Sequence, residues 1–203
     1  MLRAIENQLL VGKTYLQIAN GLLAVVGEWD VFGVAPTFFG LTAQSHIEMA
    51  QMTVAKLYDR GERAVTIKAL LFRAAQQPGD FQKGDAQQVS AAILKSAQRI
   101  IALQPILDAI RKRRDKWLAH LDEDTVRNPA ALVASANLTR EDLEHAFKET
   151  EGIYGEIEWL FDGTCGEIRF LGGDDYKSVL KHIRLANAAE KKALAAALGR
   201  AAD

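Results

Sequence analysis

Proline is scarce in this chain, and its spacing constrains the fold more than any other feature. Four prolines occur among 203 residues, at Pro36, Pro78, Pro105 and Pro129. Because proline removes a backbone donor and clashes with the preceding turn, helices usually stop or bend at it. The long stretches between the prolines carry apolar residues three and four apart, the periodicity of a helix with one buried face. The sequence therefore predicts an almost entirely α-helical protein.

Six helical segments follow from this periodicity and from the capping and turn residues between them. They cover residues 3–28, 41–60, 62–76, 85–121, 139–161 and 174–199. Pro105 predicts a kink or a restart inside the fourth segment. Thr139 opens the fifth segment with a capping-box-like pattern. The apolar residues 27–40 form a break that either enters the core or meets a partner. Residues 167–171 could form one short edge strand.

Composition limits the class of protein. Hydrophobic residues make up 49% of the chain and charged residues 25%, which is typical of a globular domain. The net charge of −1 provides no global attraction to nucleic acid, so any such contact needs a local basic patch. A single cysteine excludes an intramolecular disulfide. With no signal-peptide pattern and no run of about 18 apolar residues, we expect a cytoplasmic protein without a membrane span.

Common catalytic motifs are missing from the sequence. There is no phosphate-binding glycine loop, no His-Glu-x-x-His, no pair of cysteines and no Gly-x-Ser-x-Gly turn. The four histidines are scattered, and no two of them stand at the spacing of metal ligands. We therefore predict neither a metal nor a cofactor.

The densest chemical feature is the basic run at residues 111–116, which His120 follows. Arginine is a permanent planar cation suited to phosphate, and histidine titrates near neutral pH. Cleavage of an RNA phosphodiester needs both, because a base must take the 2′-hydroxyl proton and a cation must stabilise charge on phosphorus. RNA supplies its own nucleophile, so no metal is required. The alternative is a solvated helix end, where the helix dipole favours cations.

Helical geometry sets a condition on this interpretation. On an ideal helix Lys116 lies beneath His120, Arg113 shares the same face, and Arg114 lies well off it. Arg114 and His120 can converge on one phosphate only if the helix ends or distorts between them, or if two chains combine their motifs.

The stretch RDKWLAHLD at residues 114–122 resembles the signature of the HEPN superfamily, and its form resembles the abortive-infection, AbiU-like branch. A second stretch is similar to the second helix of that branch: FFGLT at 38–42, SHIE at 45–48 and AKLYD at 55–59. The resemblance covers roughly the first 160 residues. It implies an all-α bundle of four to five core helices, and a homodimer that places two motifs across one cleft. The last helical segment is predicted to be an additional C-terminal helix.

The resemblance also implies metal-independent endoribonuclease (hydrolase) activity that leaves a cyclic phosphate, in a toxin–antitoxin or phage-defence setting. Carried over by position, His120 is the acid or base, Arg114 stabilises the phosphate, and Asp115 orients the pair. RNA would be the substrate, and an antitoxin could be a partner. Some HEPN toxins carry a modified tyrosine two residues after the histidine; Asp122 stands there in this chain, which puts that regulation in doubt.

Further residues are candidates for supporting roles. Arg111, Arg113 and Lys116 are predicted to contact the RNA backbone. His46 could belong to a second polar site, although a lone histidine on an apolar helix is more often a hydrogen-bonded structural residue. Tyr58 and Asp59 could bond to the motif helix, or they could close their own helix.

Two further predictions concern organisation and the main rival function. A helical domain is predicted over residues 1–162, with residues 163–203 as a C-terminal loop and helix packing on the same domain. The rival function is a non-catalytic interaction or RNA-binding module, in which Arg114 and His120 form structural bonds at a dimer interface.

Overall fold

The computed structural model describes residues 1–61, 63–118, 127, 136–164 and 173–200. Within them it contains seven α-helices and no strand, so the all-α prediction is confirmed. The helices are α1 (Leu2–Leu23), α2 (Trp29–Phe32), α3 (Pro36–Leu57), α4 (Ile67–Gln76), α5 (Ala86–Arg113), α6 (Arg140–Asp162) and α7 (Asp175–Arg200). A 3₁₀ turn covers Pro78–Asp80, and a π-helical turn covers Arg114–Leu118. The strand suggested at 167–171 lies outside the described residues.

The apolar break predicted at residues 27–40 is shorter than expected. The short helix α2 occupies part of it, and α3 begins at Pro36, five residues before the predicted start. Proline suits the first position of a helix, because its fixed φ is already helical and its missing donor is not needed there. Only part of this segment enters the core. Val31 and Phe39 are buried, whereas Trp29 is 74% exposed.

The chain divides into two compact units. Unit 1 comprises Met1–Lys13 and Glu48–Arg169, and unit 2 comprises Thr14–Ile47 and Phe170–Asp203. Each unit therefore takes part of α1 and part of α3. The predicted division into residues 1–162 and 163–203 stays a prediction.

Unit 1 is built around α5 and α6. Both helices begin with a capping box, in which the side chain of Asp85 or Thr139 accepts a hydrogen bond from the third residue of its helix. Gly163 ends α6 in the left-handed conformation at φ 82°, which glycine adopts without steric cost. The buried side chains of the two helices include Leu103, Ile110, Leu143, Ile153 and Tyr154. These buried residues pack α5 and α6 in the core of unit 1, and the motif follows directly after the carboxyl end of α5.

Of the two alternatives predicted at Pro105, the restart is wrong, because α5 runs unbroken from Ala86 to Arg113, and the kink stays a prediction. In an α-helix the missing N–H of Pro105 would have bonded the carbonyl of Ile101. Ile101 is 71% exposed, so water can satisfy that carbonyl. The helix therefore tolerates this proline on its solvent-facing side.

Unit 2 has its own apolar cluster, formed by Leu22, Val25, Val31, Phe39, Ala43 and Leu180. Two ion pairs join α7 to the start of α2: Arg184 with Glu28 at 2.8 Å, and Lys191 with Asp30 at 2.5 Å. Among the described residues, no helix combines the length and apolar character needed to cross a membrane.

Candidate active site

Arg114 stands where the motif helix changes its hydrogen-bonding pattern. Regular α-helix ends at Arg113, and a π-helical turn begins at Arg114 and continues to Leu118. Such turns are rare and often occur at functional sites. The sequence argument required the helix to end or distort between Arg114 and His120, and this distortion begins at Arg114. His120 itself lies outside the described residues.

The guanidinium of Arg114 lies between two carboxylates. Its Nε donates to Oδ1 of Asp115 at 2.7 Å, its Nη2 forms an ion pair with the same oxygen at 2.7 Å, and its Nη1 donates to Oδ1 of Asp59 at 3.5 Å. Asp115, and then Asp59, raise the pKa of Arg114 further. The side chain is 27% exposed, so the charge is oriented by its partners and still reaches the surface.

Asp59 reaches the motif from the segment that follows α3. The backbone N–H of Gly61 donates to its Oδ2 at 3.3 Å. Backbone N–H groups of Arg60 and Gly61, and then Arg114, hold the pKa of Asp59 below its usual range. Asp59 is therefore ionised at neutral pH and is an acceptor only. Asp59 therefore takes both of the roles considered for Tyr58 and Asp59: it contacts Arg114, and it accepts a hydrogen bond from the backbone that follows its own helix.

Tyr58, in contrast, contacts α6 rather than the motif. The hydroxyl of Thr150 donates to the carbonyl of Ala146 at 2.6 Å, so the Tyr58 hydroxyl is the donor in its 2.9 Å bond with Thr150. Burial raises the pKa of Tyr58 to about 12. The described contacts of Tyr58 are structural, and they anchor the end of α3 from which Asp59 extends.

A cavity of about 350 Å³ adjoins Arg114 within unit 1. It is lined by Ala4, Gln8, Met52, Ala55, Lys56, Asp59, Ala64, Val65 and Arg114. Most of this wall is apolar, and the charged side chains are Lys56, Asp59 and Arg114. The sequence reasoning did not identify Gln8, Met52 or Lys56, because they come from segments far from the motif in sequence.

The three predicted RNA-backbone contacts differ in their surroundings. Arg111 pairs with Asp108 at 2.5 Å. Arg113 donates from Nε to the carbonyl of Ala136 at 3.1 Å, and burial lowers its pKa. Lys116 is exposed. Arg113 thus fixes the backbone at Ala136, and RNA contact by the three residues remains a prediction.

His46 has the surroundings of a structural histidine. Its ring Nδ1–H donates to the carbonyl of Thr42, one helical turn earlier, at 2.7 Å. Its ring also meets Tyr15 edge to face, with centroids 5.5 Å apart. All three residues belong to unit 2. A supporting catalytic role for His46 therefore remains a prediction, without a described contact to the motif.

Comparison with known proteins gives one result. No curated protein and no solved structure matches the chain. The family model HEPN_AbiU2, described as AbiU2, matches residues 16–189 and so extends into α7, beyond the 160 residues of the sequence resemblance. The match covers more than four fifths of the 203 residues, and the chain therefore belongs to the HEPN_AbiU2 family, whose HEPN domain suggests a function related to nucleases and abortive infection.

Proposed function

We propose that this protein is a metal-independent endoribonuclease, in which Arg114 binds the scissile phosphate and His120 transfers the proton. The observation that carries the proposal is the placement of Arg114. Its guanidinium is oriented by Asp59 and Asp115, stands at the α-to-π transition, and lines an open cavity. A preoriented cation beside open volume suits the charge that develops on phosphorus during cleavage.

The proposed reaction uses the substrate's own nucleophile. His120 takes the proton from the 2′-hydroxyl, and the 2′-oxygen forms a bond to phosphorus. The bond from phosphorus to the 5′-oxygen then breaks, and this oxygen leaves with a proton from the protonated histidine or from water. The products are a 2′,3′-cyclic phosphate and a 5′-hydroxyl. Arg114 stabilises the negative charge of the five-coordinate intermediate, and Asp115 keeps its guanidinium in place.

The existing partners of Arg114 do not prevent this role. A guanidinium has five N–H donors in a planar fork, so it can bind a phosphate in addition to its carboxylates or in exchange for one of them. The 3.5 Å contact with Asp59 is the longer of the two and the one that phosphate would replace more easily. In the proposal two chains form a homodimer, and an antitoxin could regulate it.

A non-catalytic module is the second candidate, and one specific observation favours it. Each arginine of the basic run at 111–116 has a described partner within unit 1. Arg111 pairs with Asp108, Arg113 bonds the carbonyl of Ala136, and Arg114 pairs with Asp59 and Asp115. A surface whose cations are already paired attracts RNA less strongly than one with exposed, unpaired charge.

An RNA cleavage assay in EDTA tests the proposal. Wild type should cut total RNA or tRNA and leave cyclic-phosphate ends, whereas Arg114→Ala and His120→Ala should not. Arg73→Ala, which removes an exposed arginine of α4, is the matched control and should cut like wild type. If wild type cuts neither RNA and His120→Ala behaves like wild type in cells, the non-catalytic module replaces the ribonuclease.

A further inference from the structure

The cavity beside Arg114 is a second feature of the site, with a chemistry of its own. Its apolar wall comes from Ala4 on α1, Met52 and Ala55 on α3, and Ala64 and Val65 before α4. At about 350 Å³ it lies near the lower end of the range of small-ligand pockets, about 300–1,000 Å³. It therefore suits one ring-sized group better than an extended molecule.

Polar groups also line this cavity. Gln8 brings an amide, Lys56 an ammonium, Asp59 a carboxylate and Arg114 a guanidinium. An apolar lining with a few polar groups matches a nucleobase, which has a flat apolar face and hydrogen-bonding groups on its perimeter. Proteins commonly recognise single-stranded RNA by packing such bases and bonding to their edges.

Asp59 determines which base edges are compatible. Its carboxylate is held by the backbone N–H of Gly61 and accepts hydrogen bonds without donating them. Adenine, cytosine and guanine each offer an exocyclic amino group to such an acceptor. Uracil instead presents two carbonyl oxygens beside its single N–H, and a carboxylate repels them. The cavity therefore favours bases that carry an amino group.

We propose that this cavity is the base-binding subsite of the ribonuclease: it receives a base next to the phosphate bound by Arg114, and Asp59 accepts a hydrogen bond from the amino group of that base. The inference rests on the proposed function, because Arg114 links the base to the reacting phosphate. Asp59 then has two contacts, one with Arg114 and one with the base. Its contact with Arg114 affects the cleavage rate of every RNA. Its contact with the base affects the ratio of kcat/KM between RNAs that differ in the amino group of that base.

The first experiment measures that ratio. Single-stranded oligonucleotides carry one fixed base on the 5′ or the 3′ side of the cleaved bond, with guanine compared with hypoxanthine and adenine with unsubstituted purine. For wild type we expect loss of the amino group to lower kcat/KM about tenfold on one side, a typical value for one base-edge contact. For Asp59→Ala, which removes the side-chain acceptor, the ratio should fall to about two. Asp108→Ala removes another aspartate that pairs with an arginine of the basic run, and it should keep the tenfold ratio.

The second experiment fills the cavity. Ala4 is an exposed residue of α1 that lines the cavity, so Ala4→Trp can occupy the open volume without disturbing the core. We expect it to abolish the amino-group preference and to raise KM about tenfold. Ala102→Trp places the same side chain on an exposed position of α5 outside the cavity lining and should leave both quantities unchanged. Circular dichroism melting of both variants shows whether either change disturbs the fold.

A binding measurement separates this inference from the ribonuclease proposal. Calorimetric titration with 3′-AMP, 3′-CMP, 3′-GMP and 3′-UMP tests the cavity whether or not RNA is cut. The base site is supported, even if cleavage fails, by three results together. The three amino-bearing nucleotides bind, 3′-UMP binds weakly, and Ala4→Trp loses binding. Two results would overturn it. The first is unchanged preference and KM in Asp59→Ala and Ala4→Trp. The second is nucleotide binding that depends on Asp59 while the RNA preference does not, which would indicate a site for free nucleotides.

Discussion

Arg99 and Arg114 belong to the same helical segment, and their immediate chemistry is nearly the same. Arg99 lies between Glu149 at 2.6 Å and Glu156 at 4.0 Å, as Arg114 lies between Asp115 and Asp59. The side chains are 23% and 27% exposed, respectively. Charge, partners and exposure are therefore alike at the two arginines.

What differs is the space and the backbone around each guanidinium. A Cβ atom at Gly152 would lie 2.2 Å from Nη2 of Arg99, so Arg99 fills the room that a glycine leaves on α6. Arg99 also lies in the middle of regular helix, with both carboxylates on α6. Arg114 instead begins a π-helical turn and lines a cavity. The same ion-pair chemistry thus occurs where a guanidinium occupies the space beside a glycine and where a guanidinium lines a cavity.

The largest expected effect separates the two arginines by activity. Arg114→Ala should lower RNA cleavage by about 10²- to 10³-fold, the usual cost of removing one preoriented electrostatic group. Its midpoint in urea unfolding should change little, because the pairs of Arg114 are partly exposed. Arg99→Ala should cut RNA like wild type once both proteins are assayed well below their unfolding midpoints. Equal loss of cleavage in both variants would contradict the distinction.

The second prediction concerns stability. Arg99→Met keeps the aliphatic volume and removes the bonds to Glu149 and Glu156, and we expect it to lower the free energy of unfolding by about 1.5–3 kcal/mol. Lys95, whose side chain is 62% exposed, also pairs with Glu156, and Lys95→Met is the matched control. That change should cost less than about 1 kcal/mol, because solvent screens exposed pairs. Urea denaturation of the three proteins measures both differences.

The third prediction tests whether the Arg99 guanidinium keeps its position because Gly152 has no side chain. In wild type, Gly152→Ala should displace the guanidinium and lower stability by about 1 kcal/mol, despite the better helix propensity of alanine. In the Arg99→Met background the same change should be neutral or stabilising by up to about 1 kcal/mol. A double-mutant cycle in urea gives the coupling. Additive effects would show that the two positions are independent.

The smallest effect concerns the titration of the two partner carboxylates. Hydrogen bonding to Arg99 is the largest cause that lowers the pKa of Glu149, whereas backbone N–H groups are the largest cause for Asp59. Arg99→Met should therefore raise the pKa of Glu149 toward its ordinary value of 4.5, while Arg114→Ala should leave the pKa of Asp59 low. NMR titration of the side-chain carboxyl carbons measures both.

The sign of the pH dependence follows from these directions. A carboxylate with a lowered pKa stabilises the folded state above its unfolded pKa and loses that contribution as pH falls through the folded value. Wild type should therefore lose stability as pH drops below 4.5, the ordinary pKa of Glu149. Glu149→Gln should reduce that slope. A slope that is the same in Glu149→Gln and in wild type would show that the Arg99 pair does not contribute to it.

Local signals explain which elements the sequence predicted well. The starts of α5 at Asp85 and α6 at Thr139 depend on hydrogen bonds between residues three apart, so the sequence contains both partners. The sequence pattern places the start of α3 too late, at residue 41, because the apolar residues around Pro36 have no helical periodicity that marks an earlier start. Burial of Val31 and Phe39 in the core of unit 2 turns part of that segment into helix. The presence of these helices can thus be predicted from the sequence, whereas the residues at which they begin and end depend on packing.

The sequence by itself determined the all-α class, the main helices, and the motif from Arg114 to His120 with its family. These features depend on residues within about two turns of each other, where periodicity and capping act. Only the tertiary structure decided that Asp59 meets Arg114, that Tyr58 bonds Thr150, and that Asp59 and Arg114 line a cavity together with residues of α1. These contacts join residues 55 and 92 apart in the chain, and no local pattern specifies which distant side chains packing will bring together.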